Sequence, residues 1–177
     1  KISLSGGMIR LLRQSPPRLK LELLNAARGA IFGALIGDAA GATLEFLGRK
    51  PTQDEVQEAM KMVGGGVWKT APGQVTDDGE LTLALASALA GKTQYSPDLV
   101  ALSYRKWFLS APFDKGNATS HALGSGDVDS PNLARIVMEN ARQGNFESKA
   151  NGSLMRASAL AVWSSGISID QAVISAK

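Results

Sequence analysis

Val75-Thr76-Asp77-Asp78-Gly79-Glu80-Leu81, followed directly by Thr82-Leu83-Ala84-Leu85-Ala86-Ser87-Ala88-Leu89, sets a hydroxyl and adjacent carboxylates on the threshold of a strongly apolar helical run. Two readings fit. In one, Thr76 or an aspartate caps the free N–H groups of a helix and the acids suit its positive dipole end. In the other, a short Thr/Asp/Asp cluster offers only oxygen ligands, the set that a hard cation such as Mg²⁺ prefers. A cap and a dipole acid need two polar groups, whereas Thr76, Asp77, Asp78 and Glu80 crowd one turn. On these residues alone the cap is the favoured reading.

Working outward, the same helical signals recur. Residues 21–43 read as a helix with Gly29, Gly33, Gly37 and Gly41 on one face. Each glycine costs about 1 kcal/mol relative to alanine, so four in register suggest close approach of a backbone or ligand. Asp38 interrupts this helix, with Glu45 seven residues on, and an acid in such surroundings should have a partner. Backbone groups of a neighbouring loop fit that role as well as a metal or substrate does. Pro51–Val63 reads as a surface helix capped by Thr52, and Gly64-Gly65-Gly66 opens a connector whose N–H groups could cradle a phosphate. Ser96-Pro97-Asp98 starts another helix, whose Leu99, Leu102, Trp107 and Phe108 read as core. Ser130-Pro131 starts a helix ending near Gly144, residues 152–164 form one stopped by Gly166, and Ser168 opens the last. No segment alternates as a strand, so the fold class expected is all-α.

Two loops put polar groups at helix starts, where anions bind. They are Ala111-Pro112-Phe113-Asp114-Lys115-Gly116-Asn117-Ala118-Thr119 and Ala150-Asn151-Gly152-Ser153-Leu154-Met155-Arg156. Turn chemistry explains the same residues. His121, the sole histidine, reads as structural.

Composition narrows the class. The 177 residues suit one domain or most of one, and with no cysteine there is no disulfide or thiolate site, as in a reducing cytoplasm. No apolar run is long enough to cross a bilayer, and no secretory signal pattern opens the chain. The net charge of +3 is uneven: residues 1–28 hold six basic residues against Glu22, a net +5, and the remainder nets −2. Residues 1–20 therefore read as a basic arm before a domain at 21–177. Arg10, Arg13 and Arg18 are its candidate partner contacts, on an acidic protein rather than nucleic acid, since no aromatics interleave them.

Taken together, Gly33-Ala34-Leu35-Ile36-Gly37-Asp38-Ala39-Ala40-Gly41 with Glu45, Thr76-Asp77-Asp78, Asp114-Lys115-Gly116-Asn117 and Asn151-Gly152-Ser153-Leu154-Met155-Arg156 resemble the ADP-ribosylglycohydrolase family over about residues 26–177. The resemblance turns the opening motif from cap to metal site. It implies a compact multi-helix fold with two Mg²⁺ ions (or Mn²⁺) in a cleft, acting on ADP-ribosylated protein with arginine the favoured acceptor. Thr76, Asp77 and Asp78 would be metal ligands, and Glu45 and Asp114 catalytic carboxylates. Asn117, Asn151, Gly152 and Ser153 would line the substrate pocket. Cleaving a glycosidic bond at ribose needs a positioned water, charge stabilisation and a carboxyl group to move protons, which agrees with these residue types.

Three departures shape the expectation. Gly79 stands where family members usually carry Thr or Ser, removing one ligand hydroxyl. The family's C-terminal Asp-x-Asp-Thr motif does not occur in these residues, which implies a missing C-terminal half or a second chain, and no full two-metal catalysis by this chain alone. The basic arm lies outside the family core. Because some bacterial relatives protect cells against ADP-ribosylating toxins, the arm supports a second expectation: an immunity protein whose residues 1–20 plug a transferase's active site. A metal-free helical interaction domain is the third.

Overall fold

A computed structural model describes residues 17–176. The described chain is all-α: its one departure from helix and loop is an isolated bridge between Gly65 and Thr70. Helix α1 (Pro17–Gly41) runs into a short 3-10 turn (Ala42–Leu44) and is followed by α2 (Gln53–Ala59), α3 (Asp77–Leu89) and α4 (Pro97–Leu109). Then come α5 (Asn117–Leu123), α6 (Leu133–Asn145), α7 (Ala157–Ser164) and α8 (Ile169–Ala176). No helix among the described residues is long and apolar enough to cross a membrane.

Helix α3 is the axis of the core. Leu81, Leu85 and Leu89 recur every fourth residue on one buried face, and Leu81 and Thr82 have no exposure at all. They pack with Ile31 of α1, Val100 and Tyr104 of α4, Leu123 of α5, and Ala159 and Trp163 of α7. Because α1, α4 and α7 all lie against it, α3 can be apolar nearly all round. A smaller cluster of Ala101, Leu133 and Ala134 ties α4 to α6. Leu102, Trp107 and Phe108 pack partly buried against these clusters as expected, whereas Leu99 stays 37% exposed at the surface.

The caps are those the sequence signals, with shorter helices in places. Thr52 and Glu55 form a capping box, but α2 ends at Ala59 rather than Val63, and Met62 beyond it takes φ 53°. Ser96 caps α4 with Pro97 in its first turn. Helix α7 begins at Ala157, not at residue 152, because Asn151 O accepts from both Leu154 N and Met155 N and holds 151–155 as a turn. The glycine stripe of α1 also departs from expectation. A Cβ added at Gly29, Gly33, Gly37 or Gly41 would meet nothing within 4 Å among the described residues, so no described backbone makes a close approach there.

Gly79 is a glycine that packing requires. A Cβ there would lie 2.6 Å from Asp38 Oδ2 and 2.7 Å from Val75 Cβ. The position that carries a hydroxyl in the expected motif is thus filled by the Asp38 carboxylate. Gly79→Ala is expected to destabilise the chain by about 1–3 kcal/mol, the usual cost of overpacking a tight site, read as a lower urea midpoint at unchanged slope.

Candidate active site

The site grows from the way α3 begins. Thr76 stands at the N-cap, yet its side chain makes no capping bond. The cap comes from α1 instead: Asp38 Oδ2 accepts from Thr76 N at 2.9 Å and Gly79 N at 2.7 Å, and Asp38 Oδ1 accepts from the Thr76 hydroxyl at 2.7 Å. One carboxylate thereby takes two of the four free N–H groups at the helix start and stabilises its dipole end. The partner that an acid on α1 demanded is the neighbouring backbone. Thr76, Asp77 and Asp78 are released from capping, and the hydroxyl of Thr76, its proton committed to Asp38, keeps lone pairs to offer.

Around this turn three more segments converge. Gly116 N, at the start of α5, donates to Asp77 Oδ2 at 3.3 Å. That bond draws the loop of Asp114 inward, and Asp114 is only 9% exposed. Glu45 follows the 3-10 turn and accepts from the indole N–H of Trp68 at 2.7 Å. Trp68 is held there because its glycine-rich loop packs on that turn: a Cβ at Gly66, where φ is 68°, would fall 2.8 Å from Ala42 O.

Burial and mutual repulsion dominate the electrostatics. Burial pushes the Asp78 carboxyl up to about 6, aided by the charges of Asp77, Asp38 and Glu45 and a hydrogen bond with Asp77. Asp114 is pushed up to about 7, first by burial and then by Asp77, Glu45, Asp78 and Asp38. Glu45 is raised by burial, the Trp68 bond opposing it. No lysine or arginine among the described residues forms an ion pair with any of these five carboxylates. The donors are all oxygen, which suits a hard divalent cation. Yet among the described residues no three Asp, Glu, His or Cys side chains are set to hold a metal ion.

The structure brings Glu45, Thr76, Asp77, Asp78 and Asp114 near one another around the start of α3. Asn117 is the first residue of α5, exposed beside the Gly116–Asp77 bond. Asn151 and Ser153 are exposed on the turn before α7, and Gly152 faces Thr119 Oγ1 of α5. That turn touches α3 through Met155 O, 3.5 Å from the Thr82 hydroxyl, and its residues make no hydrogen bond to the carboxylates. A cavity of about 820 Å³ lies elsewhere, lined by Tyr104, Leu123, Ala134, Val137 and Arg156 among others and by none of the carboxylates. Arg10 and Arg13 lie outside the described residues, as does the side chain of Arg18 in the first turn of α1. His121 is exposed.

Sequence reading missed Trp68 and its neighbours. Trp68 makes edge-to-face contacts with Phe46 (centroids 6.1 Å apart) and Phe113 (6.2 Å). The only signal was adjacency, since Phe46 follows Glu45 and Phe113 precedes Asp114.

Comparison with known proteins gives one consistent answer. The sequence model of the ADP-ribosylglycohydrolase family matches residues 19–177. A protein of Acanthamoeba polyphaga mimivirus, provisionally named an ADP-ribosyl glycohydrolase, is 37% identical over 134 residues, 73% of this chain and 39% of its own length. The ADP-ribosyl-[dinitrogen reductase] glycohydrolase of Rhodospirillum rubrum is 40% identical over 97 residues, 55% of this chain and 33% of its own. An ADP-ribosylarginine hydrolase of Pseudomonas putida (strain GB-1) is 36% identical over 109 residues, 58% of this chain and 28% of its own. The chain therefore spans 28–39% of the length of these curated relatives.

Proposed function

The chain belongs to the ADP-ribosylglycohydrolase family, and from that premise we propose that it carries the carboxylate half of the active site of a metal-dependent hydrolase that removes ADP-ribose from arginine side chains of modified proteins. The observation that carries this reading is the borrowed cap. Asp38 caps the start of α3, so the carboxylates of Asp77 and Asp78 are not spent on capping, while the Thr76 hydroxyl is buried against Asp38. The names of the Rhodospirillum and Pseudomonas relatives support the reaction and the acceptor.

The roles follow from position. Thr76, Asp77 and Asp78 would supply this chain's share of the ligands to Mg²⁺ or Mn²⁺. Such a cation, when bound, supplies charge stabilisation and orients water and ribose hydroxyls. Glu45, held by the Trp68 N–H, and the buried Asp114 are the carboxyls placed to hold and move protons as the bond at ribose C1 breaks. Asn117 and residues 151–153 would meet the rest of the nucleotide from the flank.

Thermal denaturation tests the metal part directly. Millimolar Mg²⁺ or Mn²⁺ is expected to raise the Tm by several degrees, because a cation bound by the folded state alone stabilises it by mass action and relieves carboxylate repulsion. The paired substitution Asp77→Asn, Asp78→Asn should remove most of that rise. An identical rise in the variant, or none in the wild type, would sink the metal reading and leave a metal-free helical domain.

The +5 charge of residues 1–28 supports a second activity for the same chain, in which residues 1–20 occlude the active site of an ADP-ribosyltransferase. Inhibition of a transferase that survives Asp77→Ala/Asp78→Ala and disappears on deletion of residues 1–20 would establish it. Loss of all inhibition in the double alanine variant would exclude it.

A further inference from the structure

Three aromatic rings stand together beside the carboxylates, brought there by three separate segments. Phe46 follows the 3-10 turn, Trp68 comes from the glycine-rich loop, and Phe113 comes from the loop between α4 and α5. Trp68 is the middle ring, edge-to-face with both others, and its N–H is fixed on Glu45. The outer rings are open to solvent: Phe46 is 78% exposed and Phe113 40%.

Folding alone gives little reason for this arrangement. An exposed phenylalanine forgoes burial, and Phe46 also holds φ at 56°, a left-handed backbone that a residue with a Cβ adopts at a cost. Strain of this kind persists where the surrounding structure enforces it, and it concentrates at binding sites. The chemistry of the surface then selects its ligand. Ring faces carry negative potential and attract cations, and a guanidinium both stacks on aromatic planes and pairs with carboxylates. A neutral nucleobase would stack but gain nothing from Glu45 and Asp114, and the diphosphate attached to it would be repelled by them.

We infer that Phe46, Trp68 and Phe113 form the platform on which the planar cationic group of the acceptor, an arginine guanidinium, is held against the carboxylates. This rests on the hydrolase reading and extends it: the aromatic trio sets which modified side chain the site accepts. Trp68 serves two purposes, positioning Glu45 and offering ring surface, so the diagnostic substitutions fall on the two outer rings.

The test is an NMR titration of the chain, with Mg²⁺ present, that follows the indole N–H resonance of Trp68. Three probes are compared: ADP-ribosylarginine, ADP-ribose, and N-acetylarginine amide. The paired substitution Phe46→Ala, Phe113→Ala is expected to weaken ADP-ribosylarginine about tenfold and leave ADP-ribose within about twofold. Phe46→Tyr, which keeps the ring, should bind both as the wild type does. Equal weakening of the two nucleotides would mean that the rings hold the nucleotide, and an unchanged affinity would mean that they hold nothing; either result overturns the platform. A wild-type chain that responds to N-acetylarginine amide but to neither nucleotide keeps the platform and refutes the reading that this half of the site holds the nucleotide. Silence toward all three probes refutes the platform as well as nucleotide binding by this half of the site.

Discussion

Asp38→Ala is expected to lower the Tm by about 6–12 °C, the largest stability loss of any single change at the site. Asp38 accepts three hydrogen bonds, two of them from backbone N–H groups of the α3 start. Gly79 and Thr76 are buried, so water cannot readily replace the carboxylate. Losing a cap costs about 1 kcal/mol, and leaving buried donors unpaired costs about 1–3 kcal/mol more. A loss near 3 kcal/mol converts to the stated shift at about 2–4 °C per kcal/mol for a chain of this size. Asp38→Asn keeps one acceptor oxygen and the shape, so it should lose roughly half as much. A Tm within about 2 °C of the wild type for Asp38→Ala would show that Thr76 or a neighbouring aspartate can cap α3. The borrowed cap would then not explain why those side chains are available.

Asp114→Asn should separate stability from function in the opposite direction. The Asp114 carboxyl sits at about 7 in the folded chain against an ordinary value of 3.8. Below about pH 4 it is protonated whether the chain is folded or not, and it costs nothing. As the pH rises from about 4 to 7 the unfolded chain ionises this group while the folded chain resists, so native stability falls across that window and levels off above it. Asparagine has no charge to acquire. In EDTA the variant and wild type are therefore expected to melt together only at about pH 4 and below, and the variant to melt about 2–6 °C higher at pH 8. The same substitution should reduce release of ADP-ribose by about 10²-fold or more, the usual contribution of a positioned acid or base. Equal melting across the whole range would mean that Asp114 is solvated and ordinary. Unchanged release would remove it from the chemistry.

The sequence made the helical architecture legible because its punctuation is local: Thr52, Ser96-Pro97 and Ser130-Pro131 sit within two residues or so of the helix starts they announce. Segments whose ends depend on tertiary contacts were read less well. Residues 152–156 look helical by composition, yet Asn151 O gathers two N–H groups and delays α7. At the site, Thr76-Asp77-Asp78 stood out because chemistry limits what adjacent carboxylates at a helix start can do. The capping role of Asp38 was only half legible. An acid on a glycine-striped helix needs a partner, but which backbone supplies it is a contact across 38 and 41 residues of sequence. The aromatic trio was barely legible, since Phe46, Trp68 and Phe113 are far apart in sequence and only the adjacency of Phe46 to Glu45 and of Phe113 to Asp114 marked them.

The most direct measurement of the central claim is release of free ADP-ribose from an arginine-ADP-ribosylated protein, with Mg²⁺ and with EDTA. The chain should be assayed alone and joined to the remainder of the Rhodospirillum rubrum relative, which it matches at 40% identity over 97 residues. The joined form is expected to release ADP-ribose in Mg²⁺, EDTA to stop it, and Asp78→Asn to reduce it by about 10²-fold or more without unfolding the protein. Release indifferent to both EDTA and Asp78→Asn, or none from a folded joined form, would contradict the assignment of these carboxylates as the hydrolytic site.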